Sequence, residues 1–91
     1  MFKESGSGRN ERMGAQSFDE NLTGTYEATV SDLKMRAGAN TKYRVLDSIP
    51  KDGNVRCYGY YTKEPDGTIW LYVVINGKTG FVSKSYLRLK G

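Results

Sequence analysis

The pair Asn76-Gly77 sits between two runs, Ile69 to Ile75 (IWLYVVI) and Thr79 to Ser83 (TGFVS), that are rich in β-branched and aromatic residues. A two-residue type I′ turn needs positive φ at both central positions, and Asn-Gly supplies this at least cost. An antiparallel hairpin follows, and the same punctuation recurs upstream. Asp66-Gly67 precedes the run that opens at Thr68, and Asp52-Gly53 follows Val45 to Ile49, which Pro50 stops. Tyr26 to Val30 alternates apolar and polar residues as a half-buried strand does. Asn54 to Tyr61 puts Val55 and Cys57 on one face and Arg56, Tyr58 and Tyr60 on the other. Leu87 to Leu89 closes the chain as a short last strand, and no stretch carries the 3.6-residue period of an amphipathic helix. These six short strands predict an all-β fold, a small antiparallel barrel whose closure removes exposed edges.

A chain of 91 residues holds one small domain. Residues 1–24 contain seven Gly or Ser and six scattered hydrophobic residues with neither strand nor helix period, so they are expected to be a flexible linker or tail. Phe2, Phe18 and Leu22 leave an alternative in which part of this segment docks on the barrel or on a sister chain. Residues 25–91 form the expected domain. They carry eleven basic and six acidic side chains, hence +5, together with all seven Tyr and the only Trp.

Absences narrow the function. The chain has no His, which removes Ser-His-Asp and Cys-His catalysis, and Cys57 alone forms neither an internal disulfide nor a thiolate cluster. Cys57 reads as a small buried hydrophobe. Asp19-Glu20 and the pair Glu64 and Asp66 have no nucleophile or base arranged around them, and read as solubility and turn residues rather than a glycosidase pair. No catalytic residue, cofactor or metal is expected. The longest apolar run, Ile69 to Ile75, is far below the roughly 20 residues of a membrane span, so no membrane partner is expected.

Parity suggests where binding takes place. Ile69, Leu71, Val73 and Ile75 share one face of their strand, and Trp70, Tyr72 and Val74 share the other. Tyr58 and Tyr60, beside Arg56, repeat this on the preceding strand, so the four rings are expected to make one continuous surface. Rings beside cations suit sugars, peptide stems and anionic polymers. The competing reading is that the tyrosines cap a barrel too small to bury them and Trp70 plugs its core.

Two segments, DLKMRAGANTKYRVL (Asp32 to Leu46) and IWLYVVINGKTGFVSKSYL (Ile69 to Leu87), resemble the bacterial SH3-like (SH3b) domains of cell-wall hydrolases and phage endolysins. Leu33, Met35, Arg36, Gly38, Tyr43, Val45 and Leu46 match the opening pattern, and Gly53 and Val55 the lead into the next strand. Trp70, Val73, Asn76 to Gly80, Phe81, Val82, Tyr86 and Leu87 match the closing one. Ala39 stands where these domains usually have Pro, and the hairpin Tyr60 to Thr68 is longer than common.

The resemblance implies a non-catalytic SH3-like module that binds peptidoglycan or an associated polysaccharide of Gram-positive bacteria. Its implied partners are a catalytic domain or full-length endolysin, with homo-oligomers plausible. The chain then reads as a fragment or a separately made subunit, produced in the host cytoplasm without a signal peptide and acting at the cell wall. Arg36 falls in the loop that walls the groove in such folds, where it either contacts a ligand carboxylate or bonds loop carbonyls. The expected ligand-binding set is Arg36, Tyr58, Tyr60, Trp70 and Tyr72, with Tyr43 and Lys84 at the rim. Single-stranded nucleic acid is the second and less favoured partner, because Asp32, Asp47, Asp52, Glu64 and Asp66 interrupt the basic residues. A Pro-rich peptide is less favoured still.

Overall fold

A computed structural model describes residues 15–90. The first fourteen residues of the expected tail, Phe2 among them, lie outside the described residues.

Eight strands run in chain order: β1 (Ser17–Phe18), β2 (Gly24–Ala28), β3 (Leu33–Arg36), β4 (Val45–Ile49), β5 (Asn54–Lys63), β6 (Ile69–Ile75), β7 (Lys78–Ser83) and β8 (Leu87–Leu89). Single 3₁₀ turns occupy Glu20–Leu22 and Lys84–Tyr86. The strands pair antiparallel in the order β4-β3-β7-β6-β5-β2-β8, and β1 also pairs with β5. All six strands expected from the sequence are present, and β1 and β3 are added to them. Asn76 and Gly77 take φ of 49° and 79°, as a type I′ turn requires, and Ile75 pairs with Lys78 across it.

One face of this sheet holds the core. Tyr26 and Ala28 of β2, Leu33 and Met35 of β3, Ile49 of β4, Val55 and Cys57 of β5, Leu71 and Val73 of β6, and Val82 of β7 form one buried cluster. Six strands sharing a cluster means the sheet has curled around it, which is the small barrel expected of an SH3-like fold. Its hydrogen-bonded path ends at β4 on one side and β8 on the other. Cys57 is buried as expected, and desolvation raises its thiol pKa.

A bulge in β5 decides what happens at its outer edge. Cys57 pairs with Val73 and Tyr61 with Leu71, so Tyr58, Gly59 and Tyr60 stand opposite the single residue Tyr72. Past Cys57, β5 leaves β2 and takes a new partner. Ser17 pairs with Tyr61 and Phe18 with Tyr60, and the Asp19 N–H donates to the Gly59 carbonyl at 2.9 Å. The Tyr26 hydroxyl donates to the Leu22 carbonyl at 2.8 Å, and Leu22 packs against the core. Residues 15–24, the described end of the expected linker, therefore lie on the barrel. They do so because the bulged strand offers backbone groups that β2 does not reach and because Phe18 and Leu22 supply apolar contact.

The second face of the sheet is also partly buried. Arg36, Phe81 and Tyr72 form one cross-strand row, and Thr62, Trp70 and Ser83 form the next. Phe81 is 1% exposed and Trp70 is 5% exposed, yet neither belongs to the main cluster. Parity correctly puts Trp70 and Tyr72 away from the aliphatic core. That face is not an open one at Trp70, for reasons found in the loop after β3.

Candidate functional site: a tryptophan-floored cleft

The loop at residues 37–44 turns back from β3 to β4 and is held by side chains at both ends. Arg36 Nη1 donates to the carbonyls of Thr41 at 3.1 Å and Tyr43 at 3.0 Å. This is the loop-clamping alternative of the two readings of Arg36. Gly38 is needed under the loop, since a Cβ there would lie 2.6 Å from the Tyr43 ring. Asn40 donates through Nδ2 to Glu64 Oε2, and Glu64 Oε1 accepts the indole N–H of Trp70 at 2.8 Å. A buried indole N–H requires an acceptor, and the hairpin carboxylate supplies it.

These contacts leave a cleft of about 230 Å³ on the second face. Trp70 is its floor. Arg36, Thr41, Ser83 and Tyr86 line its sides, and Val30 and Leu33 complete the apolar lining. Lys34 and Asp32 stand at the rim, 3.1 Å apart. The Ser48 hydroxyl, and then Lys34, hold the Asp32 carboxyl below its usual pKa, so Asp32 stays charged at neutral pH and offsets Lys34. Tyr86 is half exposed, which leaves its ring free to cover a ligand. The cleft thus offers two aromatic rings, the hydroxyls of Thr41, Ser83 and Tyr86, a guanidinium, and an ammonium paired with a carboxylate within one concavity. Such a set suits a short apolar segment bearing amide and carboxylate groups.

The expected site residues divide among several places. Arg36 and Trp70 meet in the cleft. Tyr43 lies beside it, its carbonyl held by Arg36 and its ring against Gly38. Lys84 sits on the same 3₁₀ turn as Tyr86. Tyr72 is half-buried with its ring 5.0 Å from that of Phe81, so it packs rather than presents itself. Tyr58 and Tyr60 are exposed on the β5 bulge, where Arg56 lies 5.4 Å over the Tyr58 ring and Phe18 packs 5.1 Å from Tyr60.

The continuous surface expected from Trp70, Tyr72, Tyr58 and Tyr60 is therefore not formed. Glu64 and the loop cover Trp70, Phe81 engages Tyr72, and the bulge carries the other two tyrosines to the side of the N-terminal segment. Val30, Lys34, Thr41, Ser83, Tyr86 and Glu64 were not among the expected residues. Tyr86 was visible as part of the closing pattern, and Glu64 was recoverable from the need of a lone tryptophan for an acceptor.

A model of the bacterial SH3 domain family matches residues 31–88. This chain belongs to the bacterial SH3 domain family. The match takes in every residue lining the cleft except Val30 and begins after β2, so the N-terminal segment along β5 precedes it. No curated protein and no solved structure matches the chain. Bacterial SH3 domains are small binding modules. Among the described residues, no group of three His, Cys, Asp or Glu is placed to hold a metal ion.

Proposed function

We propose that this bacterial SH3 domain is a non-catalytic module that binds Gram-positive cell wall and carries a peptidoglycan hydrolase of the endolysin kind to it. The observation that carries the reading is the cleft lined by Trp70, Tyr86, Arg36 and Lys34, in a chain of a binding-domain family. Wall stem peptides offer small apolar side chains, amides and carboxylates, which match ring faces, hydroxyls and cations respectively. A shallow site of this size gives modest affinity by itself. Tethered to a catalytic domain, or repeated in several copies around a full-length endolysin, it gains through effective concentration without new contacts.

Sedimentation of the full chain with purified Gram-positive walls tests this. The protein should pellet with the walls and leave their turbidity unchanged. Tyr86→Ala, at a half-exposed position, should cut the bound fraction about tenfold while the melting temperature stays within a few degrees. A wild-type chain that remains in the supernatant at low and at physiological salt refutes the reading.

A further inference from the structure

Glu64 opens the turn that joins β5 to β6. Its carbonyl accepts from the Gly67 N–H at 2.8 Å, and its own N–H donates to the Thr68 carbonyl at 2.8 Å. Pro65 fixes φ at the second turn position, and Gly67 takes the positive φ of 96° that follows. The backbone of Glu64 is thereby pinned, and its side chain is aimed rather than free.

The two carboxylate oxygens are divided between the two halves of the cleft. Oε1 holds the floor through the Trp70 indole, and Oε2 holds the loop through Asn40. Asn40 cannot turn its amide around without loss, because its Oδ1 already accepts the Lys42 N–H at 2.8 Å. Thr41 lies between Asn40 and Lys42 and forms the loop wall of the cleft, with its carbonyl held by Arg36. Glu64 and Arg36 thus grip the loop on either side of Thr41.

We infer that Glu64 is a positioning residue that sets the gap between the Trp70 floor and the Thr41 wall, and so selects the width of ligand the cleft admits. The inference rests on the cleft being where wall ligand binds. It assigns a role to a carboxylate that composition alone marks as a turn residue. It also gives the long β5–β6 hairpin a purpose, since that hairpin carries the carboxylate to the cleft.

Exchanging donor and acceptor in the full-length chain tests it. Asn40→Asp keeps the oxygen that accepts the Lys42 N–H but turns the group facing Glu64 from a donor into a second carboxylate. Wall affinity should fall about tenfold, while Trp70 emission changes little because its acceptor remains. In the double variant Glu64→Gln/Asn40→Asp, the new amide at position 64 donates to the carboxylate at position 40 and still accepts the indole N–H. Affinity should return to within about threefold of wild type. Glu64→Ala should shift Trp70 emission, raise its quenching by acrylamide and weaken wall binding.

A merely structural role would lower and then restore the melting temperature while the folded chain binds walls equally well throughout. Asn40→Asp binding walls as wild type does, or a double variant no better than Asn40→Asp, overturns the inference. If the wild-type chain binds no walls, the functional reading fails, and the positioning of Trp70 is then read from quenching alone. Unchanged quenching in Glu64→Ala overturns that too.

Discussion

Replacing Gly59 by Ala tests whether the N-terminal segment is part of the domain. Gly59 has φ of 100°, a backbone conformation that residues with a Cβ rarely adopt. Forcing an L-residue to positive φ costs about 1–2 kcal/mol. The new methyl would stand 2.7 Å from Phe18 Cε1, 3.0 Å from the Asp19 carbonyl oxygen and 3.1 Å from Thr23 Oγ1. Relief requires β1 to retreat. Retreat breaks the bond from the Asp19 N–H to the Gly59 carbonyl, worth about 1 kcal/mol net, and parts the Phe18 and Tyr60 rings, worth about 1 kcal/mol more. The expected loss is about 3–4 kcal/mol. A domain of this size loses about 4–8 °C of melting temperature per kcal/mol, so the drop should be about 12–32 °C by calorimetry or circular dichroism. Phe18→Ala opens space on the ring side, so Gly59→Ala should cost about 1 kcal/mol less in that background than in wild type. A Gly59→Ala chain melting within about 3 °C of wild type, or strict additivity of the two changes, refutes the argument.

Three further outcomes are expected. A chain starting at Thr25 lacks β1, the Leu22 contact and the acceptor of the Tyr26 hydroxyl, and should melt roughly 10 °C below the full chain; equal melting temperatures count against the docked segment. The Arg88 hydrogen bond lowers the pKa of Glu27, the Ser48 N–H and Lys78 lower that of Asp47, and the Thr68 N–H lowers that of Asp66. Their folded-state values lie below the ordinary 4.5 for Glu and 3.8 for Asp, so the stability they add is present above those values and is lost as pH falls through the folded ones. Melting temperature should hold down to about pH 5 and fall below it, with a shallower fall in Glu27→Gln; a rise on acidification contradicts this. Light scattering at micromolar concentration should give a mass above the 10.2 kDa of one chain if exposed Phe18, Tyr58 and Tyr60 meet a sister copy; a monomer at every concentration removes self-association and leaves wall binding standing.

The β6–β7 hairpin was fully legible in the sequence, because turn chemistry at Asn76-Gly77 and the run of β-branched and aromatic residues in β6 are local properties. Strand β3 was not, since four residues of alternating Leu33, Lys34, Met35 and Arg36 carry too little periodicity to stand out from a loop. Strand β1 has only two residues and exists because β5 offers it a partner far along the chain. The site was legible in part for the same reason. Parity told which face Trp70 occupies but not what covers that face, and its cover comes from Asn40 and Glu64 through tertiary contact. The splitting of the tyrosines has its signal in the sequence: an isolated Gly between Tyr58 and Tyr60 within a strand pattern marks a bulge.

The two ends of the hydrogen-bonded path bear on how such molecules crowd together. An open strand edge invites a neighbouring chain to add itself to the sheet. Here one end is β8, three residues long and closed by Lys90, whose own N–H is taken by the Thr25 carbonyl. The other is β4, five residues long, whose pairing with β3 breaks register between Met35 and Arg36 and which runs into Pro50. Neither offers a long flat template, and lysine and proline at strand ends are recurrent means of discouraging such growth. Many copies can therefore lie close together at high local concentration without their sheets fusing into aggregates.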